Sequence, residues 1–331
     1  MVKYIIVSTN VMPLPPLMYA GLEKLVTQLT IGLIQRGHEV VLVAPTGSNI
    51  TSKGIDTSKL KIIDGGMPIN NERQSYLTYK DALDRYISDN KDAVLISHSW
   101  FGYELLFKLK YPKLQVMHTF HGPGGWKIPT DKKLKQMFYD DEFHFIGVSK
   151  AHARYISEQM DFVPVDFIYN GVDPSEYPLS HEDKKYDIAF VGVMNQGKGA
   201  LKLLNMIRES KGEMDSLNVV MAGEEVYIQD PEYTASVRNL ASELKNVEYY
   251  GEVTNGLKKE IYKKSKILVY PYVQPWFEPF NLTAVESMMM GTPVLMMNNG
   301  SAKELIGDNV NMKLFRPACD YDEFVHRLYE I

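Results

Sequence analysis

The chain has 331 residues, which is too many for one small hydrophobic core and fits about two domains. Its 45% apolar and 23% charged residues are ordinary for a globular protein, and its net charge of −5 disfavours a nucleic-acid binder, which needs a broad basic face. The single cysteine, Cys319, cannot form an internal disulfide, so we expect a reducing compartment.

Membrane-spanning segments are not expected from the sequence. The apolar run within MVKYIIVSTN is too short for a signal peptide, and no stretch has the apolar length needed to cross a bilayer. The lysines of TDKKLKQMFY form either a contact with anionic lipid or a solvated helix face. We therefore expect a cytoplasmic protein with at most peripheral contact with the cytosolic face of a membrane.

Strand and helix patterns alternate through the first half of the chain. KYIIVS predicts a buried strand, and the prolines at 13, 15 and 16 predict a stiff loop after it. Apolar residues at helical spacing then predict a helix that begins near Gly21 and ends at Gly37. Further strand-like runs are EVVLVAP, LKII, AVLIS, LQVMH, FHFIGV and VDFIYN. Since parallel strands need long crossover connections, this alternation predicts a parallel α/β sheet.

The alternation restarts after the charged break HEDKKY, which begins at His181. The strand-like runs there are YDIAFVG, LNVVMAG, NVEYY, KILVYPY and TPVLMMN, and helical runs begin near Lys198, Pro231, Gly256 and Asn281. We predict two similarly built α/β domains over residues 1–178 and 179–318, with a boundary uncertain by about ten residues. DEFVHRLYEI predicts a last amphipathic helix within residues 319–331.

The stretch WFEPFNLTAVESMMMGTPVL, residues 276–295, places two glutamates around a predicted helix start. Pro279 disfavours helix for the residue before it, so Glu278 is predicted to lie in the loop after the strand KILVYPY. Asn281 is a good N-cap, and the amides of Leu282, Thr283 and Ala284 would then have no helical partner. A helix start of this kind binds anions.

Glu286 lies four residues after Leu282, one turn into the same helix and too deep to act as a cap. A carboxylate there is suited to accept hydrogen bonds from two hydroxyls, as from a ribose. The alternative is a surface helix whose acidic residues are stabilised by the helix dipole. The apolar residues of this helix and the strand before it disfavour that alternative, because ligands of α/β sheets bind at strand carboxyl ends.

Other candidate residues follow predicted strands. Lys198, in FVGVMNQGKGALKLL, stands at a loop that leads into a helix, where it would favour phosphate. No P-loop and no G-x-G-x-x-G turn is present, which disfavours a dinucleotide-dependent oxidoreductase. Of His118 and His121, in MHTFHGPGGW, we expect one to bind substrate, and His98 is open to either interpretation. No motif suggests a metal site.

Taken together, these residues resemble the retaining GT-B glycosyltransferases of glycosyltransferase family four, the glycogen-synthase-like group, over nearly the whole chain. The most specific match is the E-x7-E element from Glu278 to Glu286. Supporting matches are YAGLEKLV, RGHEVVLVAP, FHGP, GVSKAHARYI, YNGVDPSEYP and FVGV with Lys198. The resemblance implies a GT-B fold, in which two Rossmann-like α/β/α domains have parallel sheets facing across a cleft. It implies a nucleotide-sugar donor bound mainly to the second domain and an acceptor bound to the first.

The resemblance also implies roles for individual residues of the second domain. Glu286 would bind the donor ribose, and Glu278 would contact the donor sugar and steady positive charge at its anomeric carbon. Val253, in YGEV, matches the region that borders the base. The diphosphate would be held by Lys198 and by the amides near Asn281, Leu282 and Thr283.

In the first domain, His121 matches the family histidine that contacts the donor sugar, and Gly21 matches the glycine whose loop approaches the phosphates and the acceptor. In this fold the last helix packs back across the first domain. The sequence departs from the family pattern at three positions, which are Ala20 for a glycine, Val193 for an arginine and Asn281 for a glycine. A diphosphate contact is therefore missing or supplied elsewhere, for which Lys303 is one substitute.

The predicted activity is transfer of a sugar, with retention, from a UDP- or GDP-sugar to a glycan, lipid or small-molecule acceptor. Helix amides and lysine can neutralise the leaving diphosphate, so neither a metal nor a cofactor is expected. Double displacement needs two carboxylates about 5 Å apart, and Glu286 would be occupied by ribose, so a front-face route is favoured. Two alternatives are a sugar-nucleotide epimerase, for which no further acid or base is identified, and a non-catalytic nucleotide-sugar-binding protein, which Val193 favours.

Overall fold

The computed structural model describes residues 1–17, 20–51, 55–69, 71–99, 102–122, 124, 132–210, 212–224, 230–273, 276–306, 312–315 and 326–327. The chain forms two compact units, the first made of Met1–Pro16 and Ala20–Asn170 and the second made of Leu17–Tyr19 and Gly171–Ile331. The predicted end of the first domain, at 178, lies eight residues beyond Asn170. The predicted C-terminal helix over 319–331 lies outside the described residues, apart from 326 and 327, which are helical. None of the helices in the described ranges is long and apolar enough to cross a membrane.

The first unit is a parallel sheet of seven strands with helices between them. Its strands are β1 (Lys3–Val7), β2 (Glu39–Ala44), β3 (Leu60–Asp64), β4 (Val94–Ser97), β5 (Gln115–Thr119), β6 (Phe143–Gly147) and β7 (Asp166–Phe167). Its helices are α1 (Gly21–Gln35), α2 (Glu72–Asp89), α3 (Tyr103–Lys110), α4 (Lys132–Met137) and α5 (Lys150–Gln159). The strand order is β3-β2-β1-β4-β5-β6-β7. Neighbouring strands are parallel throughout, which confirms the prediction from the alternating pattern.

The second unit repeats this construction with six strands. Its strands are β8 (Tyr186–Val191), β9 (Val219–Ala222), β10 (Val247–Tyr250), β11 (Ser265–Tyr270), β12 (Val294–Met297) and β13 (Met312–Phe315). Its helices are α6 (Ala200–Glu209), α7 (Pro231–Glu243), α8 (Asn255–Lys263), α9 (Leu282–Met289) and α10 (Ala302–Ile306). The parallel strand order is β10-β9-β8-β11-β12-β13. The sequence analysis missed β13, because the short run MKLF interrupts its apolar residues with a lysine.

Both faces of each sheet are covered, which explains the near-continuous apolar runs of the strands. In β1, Ile5 and Val7 belong to one core cluster of the first unit and Ile6 belongs to another. The same alternation holds in β2, with Val41 in the first cluster and Leu42 in the second. Since successive side chains of a strand point to opposite faces, these two clusters lie on opposite faces of the sheet.

Each sheet reverses its strand order at one point, between β1 and β4 in the first unit and between β8 and β11 in the second. At such a point the flanking connections diverge and leave a crevice at the carboxyl ends of the strands, where parallel α/β sheets bind ligands. Lys198 follows β8 and Glu278 follows β11, and likewise Thr9 follows β1 and His98 follows β4. The fold therefore places polar residues at the ligand-binding edge of each sheet.

Candidate functional site

The start of α9 is built as the sequence predicted. Asn281 is the N-cap, and its side-chain oxygen accepts hydrogen bonds from the amide of Ala284 (2.9 Å) and the hydroxyl of Thr283 (2.6 Å). Gly291, with a φ of 86°, follows the last turn in the left-handed conformation common after helices. The amides of Leu282 and Thr283 belong to the first turn, whose N–H groups have no partner within a helix, so this start favours an anion.

Two stacked tyrosines hold this helix start against the sheet. The Tyr270 hydroxyl lies 2.7 Å from the carbonyl oxygen that ends β8 and is also in close contact with the Thr283 hydroxyl. Tyr272 accepts a hydrogen bond from the Asn281 side-chain amide (2.5 Å), and the two tyrosine ring centroids lie 5.8 Å apart. Burial, and then the charge of Glu278, raise the pKa of Tyr272 well above its usual value, so this phenol stays neutral. Asn281, which replaces a glycine of the family pattern, thus fixes the loop before α9.

Lys198 and Glu278 form a close ion pair at the carboxyl edge of the second sheet. The side chain of Glu278 is 5% exposed and that of Lys198 is 18% exposed, so the lysine is the more accessible partner. Trp276 donates its indole N–H to Glu278 (3.3 Å), and the Lys198 ammonium lies 5.6 Å from the centroid of the Trp276 ring. The pair thus joins the loop after β8 to the loop that leads into α9.

Two glycines let these loops approach each other. A side chain at Gly197 would place its Cβ 2.3 Å from the Trp276 ring, and one at Gly199 would lie 2.2 Å from the carbonyl oxygen of Pro271. Gly199 also has a φ of 84°, which L-residues avoid. Asn195 completes the turn by accepting a hydrogen bond from the amide of Lys198 (3.0 Å). The glycines of NQGKG therefore allow the two loops to pack closely against each other.

Gly199→Ala is expected to lower the free energy of unfolding by at least about 1–2 kcal/mol, the usual cost of the left-handed conformation for a residue with a side chain. The contact with the Pro271 carbonyl adds to this cost. Gly256→Ala is the matched control, because its Cβ would lie 3.8 Å from its nearest neighbour, in the first turn of α8. Urea denaturation of both variants tests the difference, and equal stabilities would contradict the prediction.

The loop after β12 braces the backbone of Glu278. The Asn299 side chain accepts a hydrogen bond from the Glu278 amide (3.3 Å) and donates one to the Trp276 carbonyl (2.6 Å). The amide of Ser301 donates to the Glu278 carbonyl (3.1 Å), and a side chain at Gly300 would lie 2.0 Å from the same oxygen. The sequence analysis missed this support, although NNGS after a strand is a recognisable turn signal.

Glu286 lies one turn into α9, and its carboxylate has partners from other segments of the second unit. Tyr177 donates a hydrogen bond to Oε1 (2.6 Å), and Tyr262 donates one to Oε2 (3.2 Å). The Lys258 ammonium lies 2.7 Å from Oε2, and both charged side chains are almost fully buried. The sequence analysis missed these partners. The available signal was Lys258 itself, which lies three and four residues before Ile261 and Tyr262, on the apolar face of a predicted helix.

Three other residues named from the family pattern lie in the second unit. Val253 is 2% exposed and packs in the core, so only its backbone and its neighbours can border a ligand. Val193 is half-buried in the loop after β8, where its carbonyl accepts a hydrogen bond from the Asn195 amide (3.1 Å). Lys303 lies in α10 with its side chain exposed.

In the first unit, His121 pairs with His98. His98 Nδ1 lies 2.9 Å from His121 Nε2, so one ring donates a hydrogen bond and the other accepts it. Burial, together with nearby His118, lowers the pKa of His98 to about 3. Burial first, and then His98, hold the pKa of His121 well below its usual value. Both imidazoles are therefore neutral near pH 7. His98, which the sequence left open, lies beside His121.

Two further histidines have partners inside the first unit. His118 is fully buried, and its Nδ1 lies 2.6 Å from Glu104 Oε1. His152 accepts a hydrogen bond from a backbone amide (3.2 Å) and donates one to the Gly122 carbonyl (2.9 Å). Burial lowers the pKa of His152 to about 4, against the opposing effect of the Gly122 hydrogen bond. Of the two histidines in MHTFHG, His118 is thus the one enclosed with a carboxylate.

Lowering the pH below 6.5 is expected to destabilise the protein through His98, whose pKa is about 3 when folded and near 6.5 when unfolded. The unfolded chain takes up the proton between these values, so stability present above pH 6.5 is lost at up to about 1.4 kcal/mol per pH unit. Urea denaturation at pH 7 and pH 5 measures the slope. His98→Asn should reduce the slope by the contribution of His98, while His121 and His152, whose pKa values are also lowered by burial, keep the remainder. His144→Gln, at an exposed position, should leave the slope as in the wild type. Equal slopes for wild type and His98→Asn would contradict this account.

Gly21 and Glu23 begin α1 at the ligand edge of the first sheet. Gly21 is the first residue of the helix, and Ala20 is its N-cap without a side-chain hydrogen bond. Glu23 is fully buried and accepts a hydrogen bond from the Thr9 hydroxyl, at the end of β1 (2.7 Å). Across the described ranges of both units, no group of three or more histidine, cysteine, aspartate or glutamate side chains is arranged to hold a metal ion.

Two parallel α/β units, each with polar residues at its strand-order reversal, are the architecture of the GT-B glycosyltransferases. Sucrose-phosphate synthase from Thermosynechococcus elongatus has this fold with a TM-score of 0.76, at 16% identity, over 99% of this chain and 90% of that one. Anabaena Alr3699/HepE in complex with UDP-glucose matches with a TM-score of 0.71, at 13% identity, over 99% of this chain and 89% of that one. The predicted fold class is therefore confirmed.

The chain belongs to the glycosyltransferases of the family-four type. The family described as Glycosyltransferase Family 4 matches residues 19–176, and the one described as Glycosyl transferases group 1 matches residues 175–331. An uncharacterized glycosyltransferase of Methanocaldococcus jannaschii is 26% identical over 339 residues, which cover 90% of this chain and 81% of that protein. The resemblance to family-four glycosyltransferases is confirmed at the level of family and fold, and the protein is a glycosyltransferase.

Proposed function

We propose that this enzyme transfers a sugar from a nucleoside-diphosphate sugar to an acceptor hydroxyl with retention of the anomeric configuration. The observation that carries the proposal is the Lys198–Glu278 pair, which lies where the second sheet reverses its strand order. The anion-binding start of α9 follows in the same loop. One cation, one carboxylate and a set of helix amides suit a ligand that carries both a diphosphate and a sugar.

In this proposal the diphosphate is held by Lys198 and by the amides of Leu282 and Thr283. These groups are fixed before the reaction, because the tyrosines and Asn281 hold the start of α9 and the glycine turn holds the lysine. Fixed donors of this kind stabilise the charge that develops on a leaving group. The protein thus supplies the positive charge that neutralises the negative leaving diphosphate, and we propose that neither a divalent metal nor a cofactor is essential.

Glu278 is proposed to contact the donor sugar and to stabilise positive charge at its anomeric carbon. Double displacement would require a second carboxylate about 5 Å away as partner. Glu286 does not suit that role, because Lys258, Tyr177 and Tyr262 hold it within the second unit. In a front-face reaction, the bond from the anomeric carbon to the diphosphate oxygen breaks and the bond to the acceptor oxygen forms on the same face. The acceptor proton passes to the leaving phosphate oxygen.

The remaining contacts follow the family pattern. Glu286 is proposed to bind the donor ribose, and the segment around Val253 is proposed to border the base. His121 is proposed to contact the donor sugar, and Gly21 is proposed to lie near the phosphates and the acceptor. Alr3699/HepE was solved with UDP-glucose, which supports a nucleotide sugar as donor, and UDP- and GDP-sugars are the proposed classes. The proposed acceptor is a glycan, a lipid or a small molecule, at work in the cytoplasm or at the cytosolic face of a membrane.

A second candidate is a non-catalytic nucleotide-sugar-binding protein. Val193 favours it, because an apolar residue stands where the family pattern has an arginine. Incubation with UDP- and GDP-sugars and a panel of acceptors separates the two, with release of nucleoside diphosphate as the measurement. We expect release with one donor class and, by NMR of the product, an anomeric configuration equal to that of the donor. Binding without release for every donor and acceptor would favour the second candidate, and an inverted product would refute retention.

A further inference from the structure

Glu286 is the centre of a buried group of charged and hydroxyl side chains, which we call the Glu286 cluster and define as Tyr177, Lys258, Tyr262 and Glu286. Oε2 of the carboxylate has the Lys258 ammonium at 2.7 Å and the Tyr262 hydroxyl at 3.2 Å. Oε1 has the Tyr177 hydroxyl at 2.6 Å. All four residues are almost fully buried, with exposures of 1%, 1%, 0% and 3% in that order. Both carboxylate oxygens are thus held in place.

The segments that carry the cluster are fixed to one another. Lys258 and Tyr262 lie one turn apart in α8, whose N-cap Thr254 accepts a hydrogen bond from the Leu257 amide (3.2 Å). The Thr292 hydroxyl donates to the Tyr262 carbonyl (2.6 Å), which ties α8 to the segment after α9. The orientation of the carboxylate is therefore set by α8 as well as by its own helix.

Tyr177 is held from its other side. The Lys259 ammonium lies 4.8 Å from the centroid of the Tyr177 ring and 3.8 Å from the carboxylate of Glu176. Tyr177 is therefore fixed by the same helix, α8, that provides Lys258. Three segments of the second unit meet at one carboxylate, and the charge of Lys258 compensates that of Glu286.

A buried ion pair is weak evidence for stability, because the cost of desolvating the two charges offsets much of their attraction. Apolar residues of similar size often stabilise a fold equally well. What the pair does provide is a carboxylate that is held in one orientation. The Lys258 ammonium lies 2.7 Å from Glu286 Oε2, so its effect on binding is expected to pass through Glu286. A charged carboxylate has about four positions that can accept a hydrogen bond. A ribose hydroxyl can donate to one of these positions, either in addition to the two tyrosine hydroxyls or in place of one of them.

We propose that Lys258 is a positioning residue for recognition of the donor ribose, acting through the charge and orientation of Glu286. This inference rests on the proposed function, in which Glu286 binds that ribose. Tyr177 and Tyr262 complete the positioning from either side of the carboxylate. The site should therefore discriminate a ribonucleotide from its deoxy analogue, and this discrimination should depend on a residue that the ligand does not touch.

Calorimetric titration with UDP and GDP identifies the preferred base, and the 2′-deoxy and 3′-deoxy forms of that diphosphate then measure recognition of each ribose hydroxyl. We expect the wild type to prefer the ribonucleotide over a deoxy form by about tenfold or more, as for a hydrogen bond to a charged group. Lys258→Met should reduce this preference to about twofold or less, with the affinity for the deoxy form nearly unchanged. Lys264→Met, at the half-buried C-cap of the same helix, is the matched control and should keep the wild-type preference.

A double-mutant cycle separates positioning from a general structural effect. If Lys258 acts through Glu286, Lys258→Met should have no further effect on ribonucleotide affinity in a Glu286→Gln background. Should the single variant Lys258→Met fail to fold, Glu286→Gln and the double variant are compared with each other. Equal affinities in these two would support the proposal, and weaker binding by the double variant would overturn it.

The remaining outcomes distinguish the inference from the function on which it rests. A wild type that binds a nucleoside diphosphate without preferring the ribose form overturns the inference and leaves nucleotide binding standing. If Lys258→Met retains the full wild-type preference for the ribonucleotide, the inference is likewise overturned and nucleotide binding is left standing. A wild type that binds neither UDP nor GDP counts against the proposed donor classes and against the inference together.

Discussion

Glu278→Gln is expected to lower kcat by about 10²–10³-fold while nucleoside-diphosphate affinity stays close to that of the wild type. The glutamine keeps the size of the side chain and can still accept hydrogen bonds from Lys198 and the Trp276 indole. It lacks the negative charge which, in the proposed mechanism, stabilises the positive charge that develops at the anomeric carbon. The effect should therefore appear in the rate of the chemical step, since an interaction made only in the transition state affects kcat.

Steady-state kinetics with the preferred donor, together with calorimetric titration of the nucleoside diphosphate, measure this split. Glu243→Gln, at an exposed position in the last turn of α7, is the control and should have the kinetics of the wild type. A Glu278→Gln enzyme with unchanged kcat would remove this carboxylate from the chemistry. A loss of nucleotide affinity with normal kcat would instead assign it to donor binding.

Lys198→Met is expected to reduce kcat/KM by about 10²–10³-fold, with effects on both KM and kcat. The methionine keeps an unbranched chain beside Trp276 and Tyr272 but removes the ammonium that lies over both rings. In the proposed site, the diphosphate then has only the amides of α9 to balance its charge. Because the charge on the leaving group increases in the transition state, both binding and the chemical step should weaken.

Donor-dependent release of nucleoside diphosphate measures this effect, and Lys245→Met is the control. Lys245 is exposed and lies just before β10, at the amino edge of the sheet, away from the edge that carries Lys198. A Lys198→Met enzyme with wild-type kcat/KM would show that other groups neutralise the diphosphate. Lys303 would then be the next residue to replace.

The local chemistry of the α9 start could be predicted because it depends on neighbours in the sequence. Pro279 excludes helix for Glu278, Asn281 caps the next turn, and Gly291 ends the helix. Each of these effects acts over a few residues. The parallel sheets were predictable for a related reason, since apolar runs and the lengths between them restrict how strands can pair.

Partners brought in from distant segments could not be predicted. Tyr177 is 109 residues from Glu286 in the chain, and Lys198 is 80 residues from Glu278, yet each pair is in contact. The sequence analysis named both glutamates and Lys198, but it assigned no partner to Glu286. It also left His98 open, because only the pairing of β4 with β5 brings that residue close to His121.

The sequence by itself thus determined the α/β pattern, the capped helix start between two glutamates and the resemblance to a glycosyltransferase family. These features follow from backbone preferences and from the periodicity of apolar residues, which act locally. Only the tertiary structure decided that Lys198 pairs with Glu278 and that Lys258 compensates Glu286. The physical reason is that a buried charge must find a partner in space, and strand order determines which distant residue is near enough to serve.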